Sequence, residues 1–224
     1  MFYDYKADRL ATGDGCVIVV EGPDGSGKTT LIAELVRMLS PHHTVKRYKE
    51  RPQYQERQNR EFGHIVPTPG TDTAEELRYR DFLDERVKQM DNDIRELASD
   101  GSWVIVDRFV YTTAVYSATT TPRLESLAAG MRSFSIGKAD FTICINPTAC
   151  GVKTFYSLIC ARIEARSGDT PPSWDYYYRI VRGYARLLNR DEDAVLISPF
   201  DSDGMSKTRR GVIDEFAWWL QHNA

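Results

Sequence analysis

The feature that most constrains this chain is a glycine-rich segment at residues 22–30, which reads Gly-Pro-Asp-Gly-Ser-Gly-Lys-Thr-Thr. An apolar, β-branched run precedes it at 16–20, and a segment with helical periodicity follows at 31–36. This order of strand, loop and helix meets the G-x-x-x-x-G-K-[ST] spacing of a phosphate-binding loop. The glycines let backbone N–H groups turn inward around an anion, and a helix N-terminus favours negative charge there. The segment therefore predicts a site for the phosphates of a nucleoside triphosphate.

Two side chains of this loop have roles that follow from their positions. Lys28 can reach the β- and γ-phosphates, and the hydroxyl of Thr29 can bind Mg²⁺. ATP and Mg²⁺ are therefore the expected cofactors. The residues expected to contact ATP are Gly22, Asp24, Gly25, Ser26, Gly27, Lys28, Thr29 and Thr30.

Length and composition limit the kind of protein this chain can be. Its 224 residues are enough for one α/β domain, so we expect an extension at 1–15 and a single domain at 16–224. The net charge of −3 gives no general attraction for nucleic acid. The four cysteines form no C-x-x-C pair, which predicts free thiols in a reducing compartment. Since no apolar stretch approaches membrane-spanning length and no signal peptide is evident, we expect a cytoplasmic protein without a membrane partner.

Apolar runs alternate with helical periodicity along the rest of the chain, which implies an α/β fold. We expect a central parallel sheet of about five strands, covered by helices on both faces. The segment 51–70 is expected to be an irregular loop with a short helix. Strands are predicted at 16–20, 45–48, 103–106, 141–145 and 194–197, and further helices at 73–98, 111–117, 123–133, 153–165, 174–189 and 208–220.

Ligands of such a sheet bind at the carboxyl ends of its strands, where the glycine loop, Arg51, Asp107 and Arg108 lie. Phe82 and Arg86 are four residues apart on the predicted helix 73–98, so they share one face. Such a pair suits a nucleobase site, because the ring can stack on the base and the guanidinium can donate hydrogen bonds to a base carbonyl. Taken separately, the phenylalanine is more typical of a core and the arginine of a solvated surface.

From about residue 16 to residue 190 the chain resembles thymidylate kinases. The segment 21–30 is similar to that family's E-G-x-D-G-x-G-K-[ST]-T, including the uncommon loop aspartate. Asp107-Arg108-Phe109, followed by Thr112 and Tyr116, is similar to its D-R-[YFH]-x-x-[ST] stretch.

Further segments carry the same resemblance. Phe82 and Arg86 precede Asp107 at the family's spacing for its thymine-stacking aromatic and thymine-reading arginine. Residues 47–51 resemble the R-F-P-E-R of the eukaryotic and viral branch, and residues 162–166 resemble the lid.

The resemblance implies a P-loop kinase fold with a lid at about 162–175, and transfer of phosphate from ATP to dTMP. Arg51 and Arg108 would hold the acceptor phosphate, with Asp24 close by. Gly25 stands where the eukaryotic branch has an arginine, so a lid arginine is the candidate for the catalytic one. A homodimer formed through helices is also implied. The catalytic candidates are Lys28, Asp24, Arg108, Arg162 and Arg166, and the acceptor-site candidates are Tyr48, Arg51, Phe82, Arg86, Asp107, Arg108, Thr112 and Tyr116.

The roles of two carboxylates, Asp107 and Glu50, have alternative interpretations. Asp107 could act with Thr29 on Mg²⁺ or position the substrate, or it could only end a strand and pair with Arg108. Glu50 could be the base that a nucleoside kinase needs for a 5′-hydroxyl, whereas its neighbour Arg51 suits an acceptor phosphate. Because Arg108 adds a second cation, the sequence favours a monophosphate acceptor.

Three functions therefore compete. The leading one is a nucleoside monophosphate kinase for dTMP. A 5-substituted dUMP is included as an acceptor because departures from the family pattern, such as the tyrosines at 176–178, lie around the acceptor pocket and the lid. The second is a kinase for a deoxynucleoside or a modified base in DNA, for which the basic segment 46–60 is the candidate groove. The third is a nucleotide-binding regulatory protein, although no water-positioning glutamine is evident.

Overall fold

The computed structural model describes residues 15–50, 52–62, 74–117, 139–147, 151–167, 170–188, 194–197 and 214. The strands are β1 (Val17–Glu21), β2 (Val45–Lys49), β3 (Trp103–Asp107), β4 (Phe141–Ile145) and β5 (Ala194–Ile197). The helices are α1 (Lys28–Leu39), α2 (Pro52–Glu61), α3 (Ala74–Ala98), α4 (Val110–Ser117), α5 (Val152–Ser167) and α6 (Trp174–Leu188). Residues 1–14 of the predicted extension and the predicted helix 123–133 lie outside this part, and of the predicted helix 208–220 only residue 214 is described.

The five strands pair in parallel in the order β2-β3-β1-β4-β5. Alternate residues of β1 point to opposite sides, because successive strand residues face opposite ways. Val19 packs in a core that includes α3 and α4, whereas Ile18 and Val20 pack in a second core that includes α1 and α5. The predicted parallel five-stranded sheet with helices on both faces is therefore confirmed.

Element boundaries differ from the sequence prediction by a few residues. The first helix begins at Lys28, inside the glycine-rich segment, so the loop is shorter than expected. In the segment 51–70, for which an irregular loop with a short helix is predicted, the helix is the ten-residue α2, and residues 51 and 63–70 lie outside the described part of the chain. Proline suits the first position of a helix, and the Gln, Glu and Arg residues that follow have good helix propensity. Within the described residues, none of the helices could span a bilayer.

Candidate active site

The glycine loop has the backbone geometry of an anion site. Gly22, Gly25 and Gly27 have φ values of 136°, 73° and 101°, which residues with a side chain rarely adopt. Gly27 is the N-cap of α1, and no side chain of the described residues caps the helix there. The first N–H groups of α1 therefore remain available to a ligand, and the helix dipole favours a negative one.

Lys28 closes the loop on itself. Its Nζ donates hydrogen bonds to the carbonyl oxygens of Gly22 and Pro23, at 2.9 and 2.7 Å. Burial, with a smaller contribution from Arg108, lowers the pKa of Lys28 to about 8. Ser26 is also buried, and its Oγ has no hydrogen-bond partner among the described residues. A donor buried and unpaired beside a lysine fits a site that a phosphate completes.

We expect ATP affinity to fall as the pH rises above about 8, because Lys28 then loses its proton in the free protein. Bound phosphates favour the charged lysine and raise its pKa, so binding takes up a proton in that range. Calorimetry in two buffers of different ionisation enthalpy measures this uptake. Lys28→Arg, which stays charged, is expected to bind ATP with little change across the same range, and proton uptake in that variant would contradict the assignment.

Gly25 lies against α5, where a side chain has no room. A Cβ atom at this position would lie 2.9 Å from Ile159 Cγ2 and 3.2 Å from Ile163 Cγ1. An arginine at this loop position would therefore require the isoleucine side chains of α5, or the helix itself, to move. This contact fits the expectation that the catalytic arginine comes from the lid and not from the loop.

Gly25→Ala is expected to destabilise the protein more than Gly151→Ala, which is a matched control. Both glycines have a φ of 73°, so both substitutions strain the backbone by about 1–2 kcal/mol. Only Gly25→Ala adds overpacking, which costs about 1–3 kcal/mol more, because none of the described residues lies within 4 Å of a Cβ on Gly151. Urea unfolding of the two variants measures the difference. Equal decreases in the free energy of unfolding would show that the side chains of α5 move aside without an energetic penalty.

Arg108 is brought to the loop from the end of β3. It has a φ of 73°, the only positive value among non-glycine residues in the described part of the chain. Its guanidinium pairs with Asp24 and lies over the ring of Tyr116, 5.4 Å from the centroid. Tyr116 also donates a hydrogen bond to Asp24 Oδ2 at 3.1 Å. Burial alone would lower the pKa of Arg108, but Asp24 and the nearby tyrosines raise it, so the residue is a permanent cation.

A buried carboxylate that the sequence analysis gave no role supports this arrangement. Glu21 ends β1 with no exposed surface and accepts hydrogen bonds from the N–H groups of Phe109 and Thr112 and from the Thr112 hydroxyl. That hydroxyl also contacts Tyr184 OH at 2.7 Å. Burial raises the pKa of Glu21, against the effect of these donors. The predicted acceptor residue Thr112 thus belongs to a network that holds the N-terminus of α4 and α6 against the loop.

Asp107 precedes Arg108 and remains a candidate Mg²⁺ ligand. Its Oδ1 is buried and has no hydrogen-bond partner among the described residues. Asp107 pairs with Val20 of β1, two residues before the loop, and its charge acts to raise the pKa of Lys28. With the exposed Thr29, it provides oxygen donors of the kind that Mg²⁺ binds together with phosphates and water.

The two residues predicted to bind the nucleobase, Phe82 and Arg86, lie on α3. Both are in contact with other side chains of the protein. Phe82 is buried beside Phe62 and Tyr79, and the guanidinium of Arg57 lies 5.1 Å from its ring centroid. Arg86 is buried too, and pairs with Glu50. A base that stacks on the face of Phe82 covered by Arg57 would have to displace that guanidinium.

The other predicted residues are distributed as follows. Tyr48 is buried, and its hydroxyl donates to Asp93 Oδ2 at 3.3 Å. Arg162 reaches the loop, since a Cβ atom on Gly27 would lie 3.8 Å from its Nη1. Arg51 and the side chain of Arg166 lie outside the described residues.

Three basic side chains of the segment 46–60 pair with acidic ones. Lys46 pairs with Asp100 at 2.8 Å. Arg57 pairs with Glu61 and Glu85, and Arg60 also contacts Glu61. These acids neutralise part of the positive charge that a nucleic-acid groove would need.

Comparisons with known proteins agree with this geometry. A family model described as thymidylate kinase matches residues 20–154, which include the loop, α3 and Arg108. A thymidylate kinase of Legionella pneumophila (strain Paris) is 24% identical over 224 residues, 93% of this chain and 97% of that protein. One of Bdellovibrio bacteriovorus is 30% identical over 136 residues, 58% of this chain and 61% of that protein. A solved thymidylate kinase structure from Ehrlichia chaffeensis has the same fold, with a TM-score of 0.59, 19% identity and coverage of 92% of this chain and 99% of that one.

Proposed function

Since the chain belongs to the thymidylate kinase family and is a nucleoside monophosphate kinase that uses ATP, we propose that its acceptor is dTMP or a 5-substituted dUMP. The observation that carries the proposal is the meeting of two elements at the loop. Lys28 and the N-terminus of α1 provide the donor site, while Arg108 comes from β3 and pairs with Asp24 of the loop. A second cation beside the triphosphate site suits an acceptor that is itself a phosphate.

The chemistry requires positioning and neutralisation of charge more than covalent participation by the protein. Lys28 and the loop N–H groups would bind the ATP phosphates, and Arg108, with Arg51, would bind the acceptor phosphate. Thr29 and Asp107 would hold Mg²⁺, which neutralises phosphate charge when bound. Arg162 would add a further positive charge near the phosphates, from the predicted lid.

Two observations favour this function over the alternatives. Both oxygens of Glu50 accept hydrogen bonds from Arg86, so this carboxylate is poorly placed to take a proton from a 5′-hydroxyl. The acids that pair with the segment 46–60 also weaken the case for a DNA substrate. The homodimer and the cytoplasmic location stay predictions.

The test is a panel of deoxynucleosides and their monophosphates with ATP and Mg²⁺. We expect dTMP or a 5-substituted dUMP to give the highest kcat/KM, with formation of ADP and the nucleoside diphosphate. The proposal would be overturned if nucleosides were phosphorylated and their monophosphates were not. A duplex containing a modified base serves as the third arm and is expected to stay unphosphorylated.

A further inference from the structure

Three elements converge on the buried guanidinium of Arg86. The side chain of Arg86, from α3, is 9% exposed, and that of Glu50, just after β2, is 19% exposed. Nε and Nη2 of Arg86 donate to the two oxygens of Glu50. From α2, Gln58 Oε1 accepts a hydrogen bond from Nη1 at 2.9 Å. The arginine is therefore fixed on two sides by acceptor groups.

This arrangement leaves binding capacity on both partners. A guanidinium has five N–H donors, and three of them have acceptors among the described residues. Each oxygen of Glu50 can accept further hydrogen bonds beyond the one from Arg86. The pair therefore presents a donor next to an acceptor, one helical turn from Phe82.

The placement of this pair is better explained by recognition than by stability. Buried ion pairs contribute little net stability, because desolvation of both charges offsets their attraction. Glu50 is also partly accessible, whereas a purely structural partner of a buried arginine could be closed off. Gln58 is held in turn by Tyr79, whose hydroxyl lies 3.5 Å from its Nε2, so the acceptors are oriented before any ligand arrives.

We propose that Glu50 is a specificity-determining residue of the acceptor site, which with Arg86 selects a base that presents a carbonyl beside an N–H. This inference rests on the proposed function and adds to it the residue that reads the N–H group of the base. Uracil and its 5-substituted forms have such an edge, in which O4 can accept from Arg86 while N3–H donates to Glu50. Cytosine has the opposite pattern, because its amino group would face the guanidinium and its unprotonated N3 would face the carboxylate. Cytosine would therefore bring two donors together at Arg86 and two acceptors together at Glu50, and this mismatch is the basis for rejection.

The experiment compares dTMP with dCMP in the wild-type protein, in Glu50→Gln and in Glu56→Gln. Glu56 is exposed on α2 and serves as the matched control for loss of one carboxylate. The readout is the ratio of kcat/KM for the two acceptors in one preparation, which does not depend on the folded fraction. If dCMP is not phosphorylated, its inhibition constant against dTMP takes the place of kcat/KM.

We expect Glu50→Gln to reduce the preference for dTMP by about tenfold or more, because an amide can turn either a donor or an acceptor toward the base. Glu56→Gln should keep the wild-type ratio, and Glu50→Asp, which retains a carboxylate, should keep much of it. An unchanged ratio in Glu50→Gln would overturn the inference, as would equal losses in the glutamine and aspartate variants. A wild-type protein that phosphorylates no monophosphate would instead contradict the proposed function.

Discussion

Arg162→Ala is expected to lower kcat by about 10³-fold or more, with ATP affinity nearly unchanged. The guanidinium lies near the start of α1, where a Cβ on Gly27 would be 3.8 Å from Nη1. An arginine that stabilises charge on a transferring phosphoryl group contributes about 10³–10⁵ in rate. Because that charge develops mainly in the transition state, the loss should appear in kcat and not in ground-state binding. Steady-state kinetics and calorimetric titration with ATP separate the two.

The control is Arg166→Ala, four residues further along α5. The resemblance left either arginine as the catalytic one, and the position of Arg162 at the loop favours it. We expect a clearly smaller loss in Arg166→Ala. A loss in kcat at Arg166 that equals or exceeds the one at Arg162 would transfer the role to Arg166.

The sequence was sufficient for those parts of the site that are built locally. The spacing of Gly22, Gly27 and Lys28 predicts the anion loop, because positive φ values and a helix N-terminus are properties of adjacent residues. The strands were equally clear, since a parallel sheet covered on both faces requires continuous apolar runs. Arg108 could be placed at the loop because strand ends of a parallel sheet meet at one edge.

Contacts between distant segments could not be predicted in this way. The pairing of Glu50 with Arg86 joins residues 36 positions apart, and its existence depends on how α3 packs on the sheet. Glu21 shows a similar limit, since its partner Thr112 is 91 residues away. A glutamate that directly follows an apolar strand was the available signal, because burial of such a carboxylate requires hydrogen-bond partners.

Arg108→Ala is expected to reduce kcat/KM for the acceptor by about 10²–10³-fold, because it removes a preorganised cation from the reacting phosphates. The backbone provides a second measurement that separates function from folding. Arg108 has a φ of 73°, a conformation that costs a residue with a side chain about 1–2 kcal/mol but costs glycine almost nothing. Arg108→Gly should therefore be as inactive as the alanine variant and yet about 1 kcal/mol more stable in urea unfolding. The strained backbone of Arg108 is explained if its guanidinium is needed for function. Substantial activity in the Arg108→Gly variant would therefore contradict the role of Arg108 at the acceptor phosphate.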